Sequence, residues 1–146
     1  MAALTAIQQI KHNVGEIGSP PVAAATTILQ GAMVGITAAG GLARPFTSGD
    51  FFAGHAMETV DNSAGAAGAL RVPVLRGQGG GYFMTVPVFN STVQANVGDP
   101  VWGATDNHAD LTRTDPGSTM TTTDRKGNVH DIDPAGNVIV KFVPTC

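Results

Sequence analysis

Apolar and polar residues alternate along most of this chain in short runs, each closed by Gly, Pro, Asn or Asp, which is the pattern of short strands joined by turns. Thr26 to Leu29 and Met33 to Thr37 read as two strands around a turn at Gln30 and Gly31, closed by Ala38 to Gly41. Phe51 to Val60 is an apolar-rich run ending at Asp61, Asn62 and Ser63, and the loop from Ala64 to Gly68 is built from Ala and Gly alone. Leu70 to Arg76 places Val72 and Val74 on one face, with Pro73 marking an edge strand or a bulge. Gly77 to Gly81 reads as a hairpin loop. Tyr82 to Asn90 is the clearest period-two run, and because both of its faces are apolar it predicts burial on two sides.

Near the C-terminal end, Asp124-Arg-Lys-Gly127-Asn128-Val129 is echoed by Asp133-Pro-Ala-Gly136-Asn137-Val138. Each reads as a turn: the Asp carboxylate accepts bonds from the backbone that follows it, and Gly supplies the left-handed conformation that reverses the chain. Asp124, Gly127, Asp133 and Gly136 are therefore expected to be turn-forming, as are Asp61, Asn62, Gly65 and Gly68. Val129 to Asp133 and Val138 to Val143 then form adjacent antiparallel strands, within a hairpin spanning 124–143.

Evenly spaced strands with little helix between them predict an all-β domain, an antiparallel β-sandwich or small β-barrel, over residues 22–146. Residues 1–21 read as an extended N-terminal arm, either a frayed terminus with one helical turn or an extension that lies on a neighbouring subunit. Leu4, Ile7 and Ile10 recur on it every third residue before Gly15, Gly18, Ser19, Pro20 and Pro21 stop any helix. Apolar residues on an arm need cover, which makes these three the expected inter-subunit contacts.

Composition narrows the picture further. Glu occurs only at positions 16 and 58 and Lys only at 11, 126 and 141, so the strong surface helix formers are nearly absent. The formal net charge is -3 and no basic stripe is present, which argues against nucleic acid as a partner. The single Cys, Cys146, excludes an intrachain disulfide framework and fits synthesis in a reducing compartment. The first twelve residues lack the pattern of a signal peptide. Val22 to Ala43 carries no charge and has Gly31 and Gly35 in GxxxG spacing. It is mostly Ala, Gly and Thr, however, so it reads as two strands and no membrane association is expected. With one Trp, one Tyr and six Phe, the core depends on Val, Ile, Leu and Ala, and further burial by oligomerisation would be useful.

The search for chemistry gives little. Gly77-Gln-Gly79-Gly80-Gly81 lacks the Lys and the following helix of a phosphate-binding loop. No Ser lies in a nucleophile elbow. Asp106, His108 and Asp110 would share one face of an extended stretch and are candidate cation ligands, but a polar loop explains them as well. Asp131 and Asp133 resemble the start of a calcium loop, but Ala135 and Phe142 stand where oxygen ligands are needed. His55 is a candidate base with Glu58, against which stands its apolar strand, where an imidazole is usually a hydrogen-bonded core residue. No catalytic residue, metal or cofactor is expected.

The run Phe52-Ala-Gly54-His55-Ala56-Met57-Glu58-Thr59-Val60-Asp61-Asn62, the Gly/Ala loop after it, and Val72-Pro-Val74 resemble the small capsid decoration (cement) proteins of tailed bacteriophages. Ile28-Leu-Gln-Gly31-Ala32-Met33-Val34 is similar to the opening strand of that group, and Val97 to Asn107 to a later turn and strand. Trp102 stands where an aromatic hydroxyl is usual, and Asn107 replaces an acid. The resemblance covers residues 22–112. It implies a homo-oligomeric structural module, trimer or dimer, with no catalytic residues. Such a module is made in the bacterial cytoplasm and sits on the outer surface of the virion, where it binds the major capsid protein of the expanded head and bridges its subunits. The alternative is a phage tail or host-surface module that binds glycans through loops around Trp102 and His108.

Overall fold

The computed structural model of the protein describes residues 17–77, 80–86, 92–113 and 124–145. The strands are β1 (Ile17–Gly18), β2 (Thr26–Ile28), β3 (Met33–Ile36), β4 (Ala43–Pro45), β5 (Phe51–Ala56), β6 (Val60–Asn62), β7 (Val74–Leu75), β8 (Tyr82–Val86), β9 (Pro100–Trp102), β10 (Arg125–Ile132) and β11 (Val138–Phe142). Two single turns of 3-10 helix, Gln94–Asn96 and His108–Asp110, lie between the strands. No helix among the described residues is long and apolar enough to cross a membrane.

The strands form a five-stranded sheet in the order β1-β7-β5-β3-β4, a four-stranded sheet in the order β8-β11-β10-β9, and the pair β2-β6. Every ladder between named strands is antiparallel. The protein is all-β and sandwich-like, and none of the sheets closes into a barrel.

The five-stranded sheet is the middle layer, because its two faces feed two separate cores. Met33 and Phe52 point toward the four-stranded sheet and pack with Tyr82, Val86, Val101, Val129, Val140 and Phe142. Val34, Ala53, Ala56 and Val74 point the other way and pack with Ile28 and Val60 of the β2-β6 pair. β3 and β5 are therefore both lined on two faces, and for β5 this explains why the chain from Phe51 reads as a nearly continuous apolar run.

Two irregularities in register decide which side chains reach the first core. In β5, Val34 opposes Gly54 and Gly35 opposes Phe52, so Ala53 has no partner of its own. A bulge of this kind resets the alternation. Phe52 and His55, three positions apart, consequently face the same core. In β10, Arg125 opposes Trp102 and Gly127 opposes Val101, leaving Lys126 as the extra residue, and its side chain is aimed inward.

Several sequence expectations are corrected here. Asp124 and Gly127 do not form a hairpin turn: Gly127 lies inside β10, opposite both Val101 and Phe142. Glycine is required there by close approach, since a Cβ would stand 1.8 Å from the Lys141 carbonyl oxygen. Residues 17–20 belong to the fold and not to an arm, because Ile17 and Gly18 pair with β7 and the Val72 N–H donates to the Pro20 carbonyl. Gly77 to Gly81 joins β7 to β8, strands of different sheets, and is a crossing connection, not a hairpin loop. β7, beginning just after Pro73, is interior and not an edge strand. Tyr82 to Val86 is buried on one face only, and Phe83 on the other is 56% exposed.

Candidate functional site

The turn residues on either side of the Gly/Ala loop form one hydrogen-bonded unit. Asn62, 2% exposed at the end of β6, donates through Nδ2 to the carbonyls of Ala23 and Ala66, each at 3.0 Å. Gly65 must lack a side chain, because a Cβ there would lie 1.9 Å from Asn62 Oδ1. Gly68 adopts φ +78° and donates its N–H to the Val22 carbonyl. Asp61 accepts at Oδ1 from the Ser63 N–H and the Thr27 hydroxyl, and the bonds from Ser63 and Thr27 hold its carboxyl below the ordinary range. Replacing Asn62 by Ala would strip the Ala23 and Ala66 carbonyls of their donor, and burial makes that costly. The expected loss is about 2 kcal/mol in urea denaturation, with β-sheet circular dichroism unchanged below the transition.

Asp133 plays the corresponding part in the β10-β11 turn. Its Oδ1 accepts from the N–H groups of Ala135 and Asn137 and its Oδ2 from Asn137 Nδ2, while Gly136 takes φ +87°. Bonds from the side chain and backbone of Asn137 lower the Asp133 carboxyl.

Asp124 has a different task. It is fully buried and accepts at Oδ2 from the Ser48 hydroxyl (2.7 Å) and at Oδ1 from the Gly49 N–H (3.2 Å), tying the loop before β5 to the start of β10. The neighbouring Lys126 is also fully buried. Its Nζ donates to the Gly103 and Asp124 carbonyls at 2.9 and 3.3 Å, and lies 3.0 Å from the centroid of the Phe46 ring. Burial pushes the ammonium down to about 7, partly opposed by the charges of Asp124 and Asp50. The side chain is thus a polar plug in an aromatic pocket, stabilised by carbonyl and ring contacts instead of an ion pair.

The most concentrated group of titratable side chains is His55, Tyr82 and His108. His55 is 2% exposed, and its Nδ1 is hydrogen-bonded to the Tyr82 hydroxyl. Its Nε2 faces the Nε2 of His108 at 2.7 Å. Phe142 packs edge-on against His55 with ring centroids 4.6 Å apart and stacks on Tyr82. The loop carrying His108 is brought to β5 by the Met33 N–H, which donates to the Asp106 carbonyl, and Met33 is the residue opposite His55 in the β3-β5 ladder. Burial, aided by the charges of His108 and Lys126, lowers His55 to about 3, and burial lowers His108 as well. Both rings are therefore neutral at pH 7. Burial also raises the Tyr82 hydroxyl.

The sequence candidates are redistributed by this arrangement. His55 is the hydrogen-bonded core residue that its apolar strand suggests; Glu58 lies exposed in the turn after β5. Asp106, His108 and Asp110 do not share an extended face, because His108 to Asp110 is a 3-10 turn and the Asp110 carboxylate accepts from the Thr105 hydroxyl. Among the described residues no group of three or more His, Cys, Asp or Glu converges as a metal site. The Trp102 ring is half-buried, and its Nε1 has no hydrogen-bond partner among the described residues. Leu4, Ile7 and Ile10 lie outside the described residues. Lys126 and the pairing of His55 with His108 were missed at the level of sequence. The only available hint for Lys126 was a lysine inside an otherwise strand-like, turn-flanked segment.

Comparison with family models, with curated proteins and with solved structures found no match to this chain.

Proposed function

We propose that this protein is a structural component of a tailed-bacteriophage head, binding the outer surface of the expanded capsid and stabilising it by bridging neighbouring subunits of the major capsid protein. The observation that carries this reading is the stretch from Gly54 to Asn62 with its Gly/Ala loop, which resembles the decoration-protein pattern. In the fold these residues form the end of β5, the middle strand of the five-stranded sheet, then the turn after it and β6, whose Asn62 anchors the Gly/Ala loop. Their role is thus to build the module, and contact with other subunits falls to the surface around them.

That surface carries apolar residues suited to such contacts. Leu29 is 60% and Met57 42% exposed, on two turns that are joined by the Gln30 N–H donating to the Thr59 hydroxyl and the Gly31 N–H to the Ala56 carbonyl. Ile17, Leu70 and Phe83 add further exposed apolar area. Binding would stabilise the head by mass action, and an oligomer that engages two capsomers at once gains from effective concentration without any new type of contact.

The test mixes purified protein with undecorated expanded heads and with unexpanded precursors. Co-sedimentation with expanded heads only, together with a higher melting temperature of the decorated heads, is expected. Failure to bind either particle would overturn the proposal. For the glycan-binding alternative, the His108 ring is turned inward to His55 and Trp102 is half-buried, which leaves little of the exposed aromatic platform that sugars stack on. Immuno-labelling confined to the tail would nevertheless select it.

A further inference from the structure

Two histidine nitrogens that face each other from separate segments, with no carboxylate between them, define an arrangement that the structural role above does not use. His55 Nε2 and His108 Nε2 are 2.7 Å apart, and among the described residues the His108 ring has no other hydrogen-bond partner. Two neutral imidazoles at this separation share one proton: one nitrogen donates it and the other accepts. With His55 protonated on Nδ1, the shared proton is that of His108 Nε2–H, and once the neutral His108 ring exchanges it through solvent for one on its far nitrogen Nδ1, both Nε2 lone pairs converge on the same point. The Tyr82 hydroxyl, bonded to His55 Nδ1, then accepts from Nδ1–H and holds His55 in the tautomer whose Nε2 is free to ligate. A second hydrogen bond of this kind on the distal ring nitrogen accompanies metal-bound histidines generally.

We propose that His55 and His108 form a two-nitrogen binding site for a divalent transition-metal cation of the imidazole-preferring class, Cu²⁺, Ni²⁺ or Zn²⁺, with Tyr82 as the positioning residue. Metal–nitrogen bonds of about 2.0–2.1 Å place two neighbouring nitrogens roughly 2.9 Å apart in the tetragonal geometry of Cu²⁺ and roughly 3.3 Å apart in the tetrahedral geometry of Zn²⁺. The pair must therefore open from the 2.7 Å of the hydrogen-bonded state by about 0.2 Å for Cu²⁺ and by about half an ångström for Zn²⁺. His55 cannot supply that movement, because Phe52, Tyr82 and Phe142 enclose it. His108 can: it is half-buried and sits at the start of a three-residue 3-10 turn. Among the described residues no third His, Cys, Asp or Glu joins the group, so water completes the coordination sphere. Two imidazoles with water favour Cu²⁺ over Ni²⁺ and Zn²⁺, following the general order of divalent affinities.

The experiment uses the full chain without an affinity tag, stripped with a chelator and titrated calorimetrically with Cu²⁺, Ni²⁺ and Zn²⁺. One equivalent of Cu²⁺ is expected to bind, with nitrogen hyperfine structure from two imidazoles in its electron paramagnetic resonance spectrum and an increase in melting temperature. His108→Gln should weaken binding at least tenfold and abolish the increase. Tyr82→Phe should weaken it about tenfold through loss of the orienting bond. The other two histidines, His12 and His130, are controls. The double variant His12→Ala/His130→Ala should bind as the parent does. Absence of one-to-one Cu²⁺ binding, or binding that survives His108→Gln while disappearing in the His12/His130 double variant, would overturn the proposal.

Discussion

Gly127→Ala costs about 4 kcal/mol or prevents folding, whereas Gly136→Ala, in the sequence repeat that looks equivalent, costs about 1 kcal/mol. The two glycines occupy the same position in their repeats, but their surroundings differ. At Gly136 a Cβ meets nothing within 4 Å, and the only penalty is the left-handed backbone at φ +87°. At Gly127 a Cβ would lie 1.8 Å from the Lys141 carbonyl oxygen, 2.8 Å from its carbon and 3.1 Å from Phe142 Cα. All three neighbours are backbone of β11, so relief requires parting β10 from β11 at the centre of the four-stranded sheet. Urea denaturation of both variants measures the difference. Equal losses would show that Gly127 serves only as a turn residue, as the repeat suggests.

Between pH 7 and pH 10 the stability of the protein rises, and Lys126→Met removes that rise. The buried Lys126 ammonium titrates near 7, against an ordinary value of 10.5. Within this window the unfolded chain still holds the proton and the folded chain has lost it. Unfolding therefore takes up a proton, and the free energy of unfolding increases with pH by up to about 1.4 kcal/mol per unit. Below pH 7 both states are protonated and the burial penalty is felt in full. Above pH 10 Tyr82 acts in the opposite direction: burial holds its hydroxyl protonated in the folded state, so the unfolded chain ionises first and stability falls. His55 and His108, both lowered from 6.5, complete their contribution below this window and do not obscure it. Urea midpoints at pH 7, 8 and 9 should climb for the parent and stay level for Lys126→Met. Parallel curves for the two proteins would exclude a depressed Lys126.

The sequence reveals the fold class through features that are local. Thr26 to Thr37 resolves into β2 and β3 because Gly31 is a turn glycine at φ +84°, and the uncharged stretch from Val22 to Ala43 is thereby two strands. The Asp133–Gly136 turn is equally local, since an Asx carboxylate and a left-handed glycine act within four residues. What sequence could not reveal is register. Whether Gly127 lies in a turn or opposite another backbone depends on where β11 docks, and nothing within the repeat encodes that. The same holds for Lys126, itself the unpaired residue of its strand, and for His55, re-aimed by the unpaired Ala53. A single shift in pairing moves a side chain from one face to the other. His55 and His108 stand 53 positions apart, and only the loop held by Met33 and Asp106 brings them together.

The position of Thr145 bears on the order in which the molecule assembles. The Phe52 N–H donates to the Thr145 hydroxyl and the Phe52 carbonyl accepts from the Thr145 N–H, because β7 pairs with β5 only at His55 and Ala56 and leaves that side of Phe52 open. The middle strand of the sandwich is therefore completed by a residue 93 positions downstream. During synthesis, β3, β4 and β5 leave the ribosome long before the segment that caps them, and the face of Phe52 waits uncovered until β8, β10 and β11 have also emerged. Folding of such a non-local topology is slow, and this core cannot close before the last strand has emerged. A nascent chain arrested after β7 would expose both the Phe52 ring and its backbone, the stage at which this protein is most open to aggregation.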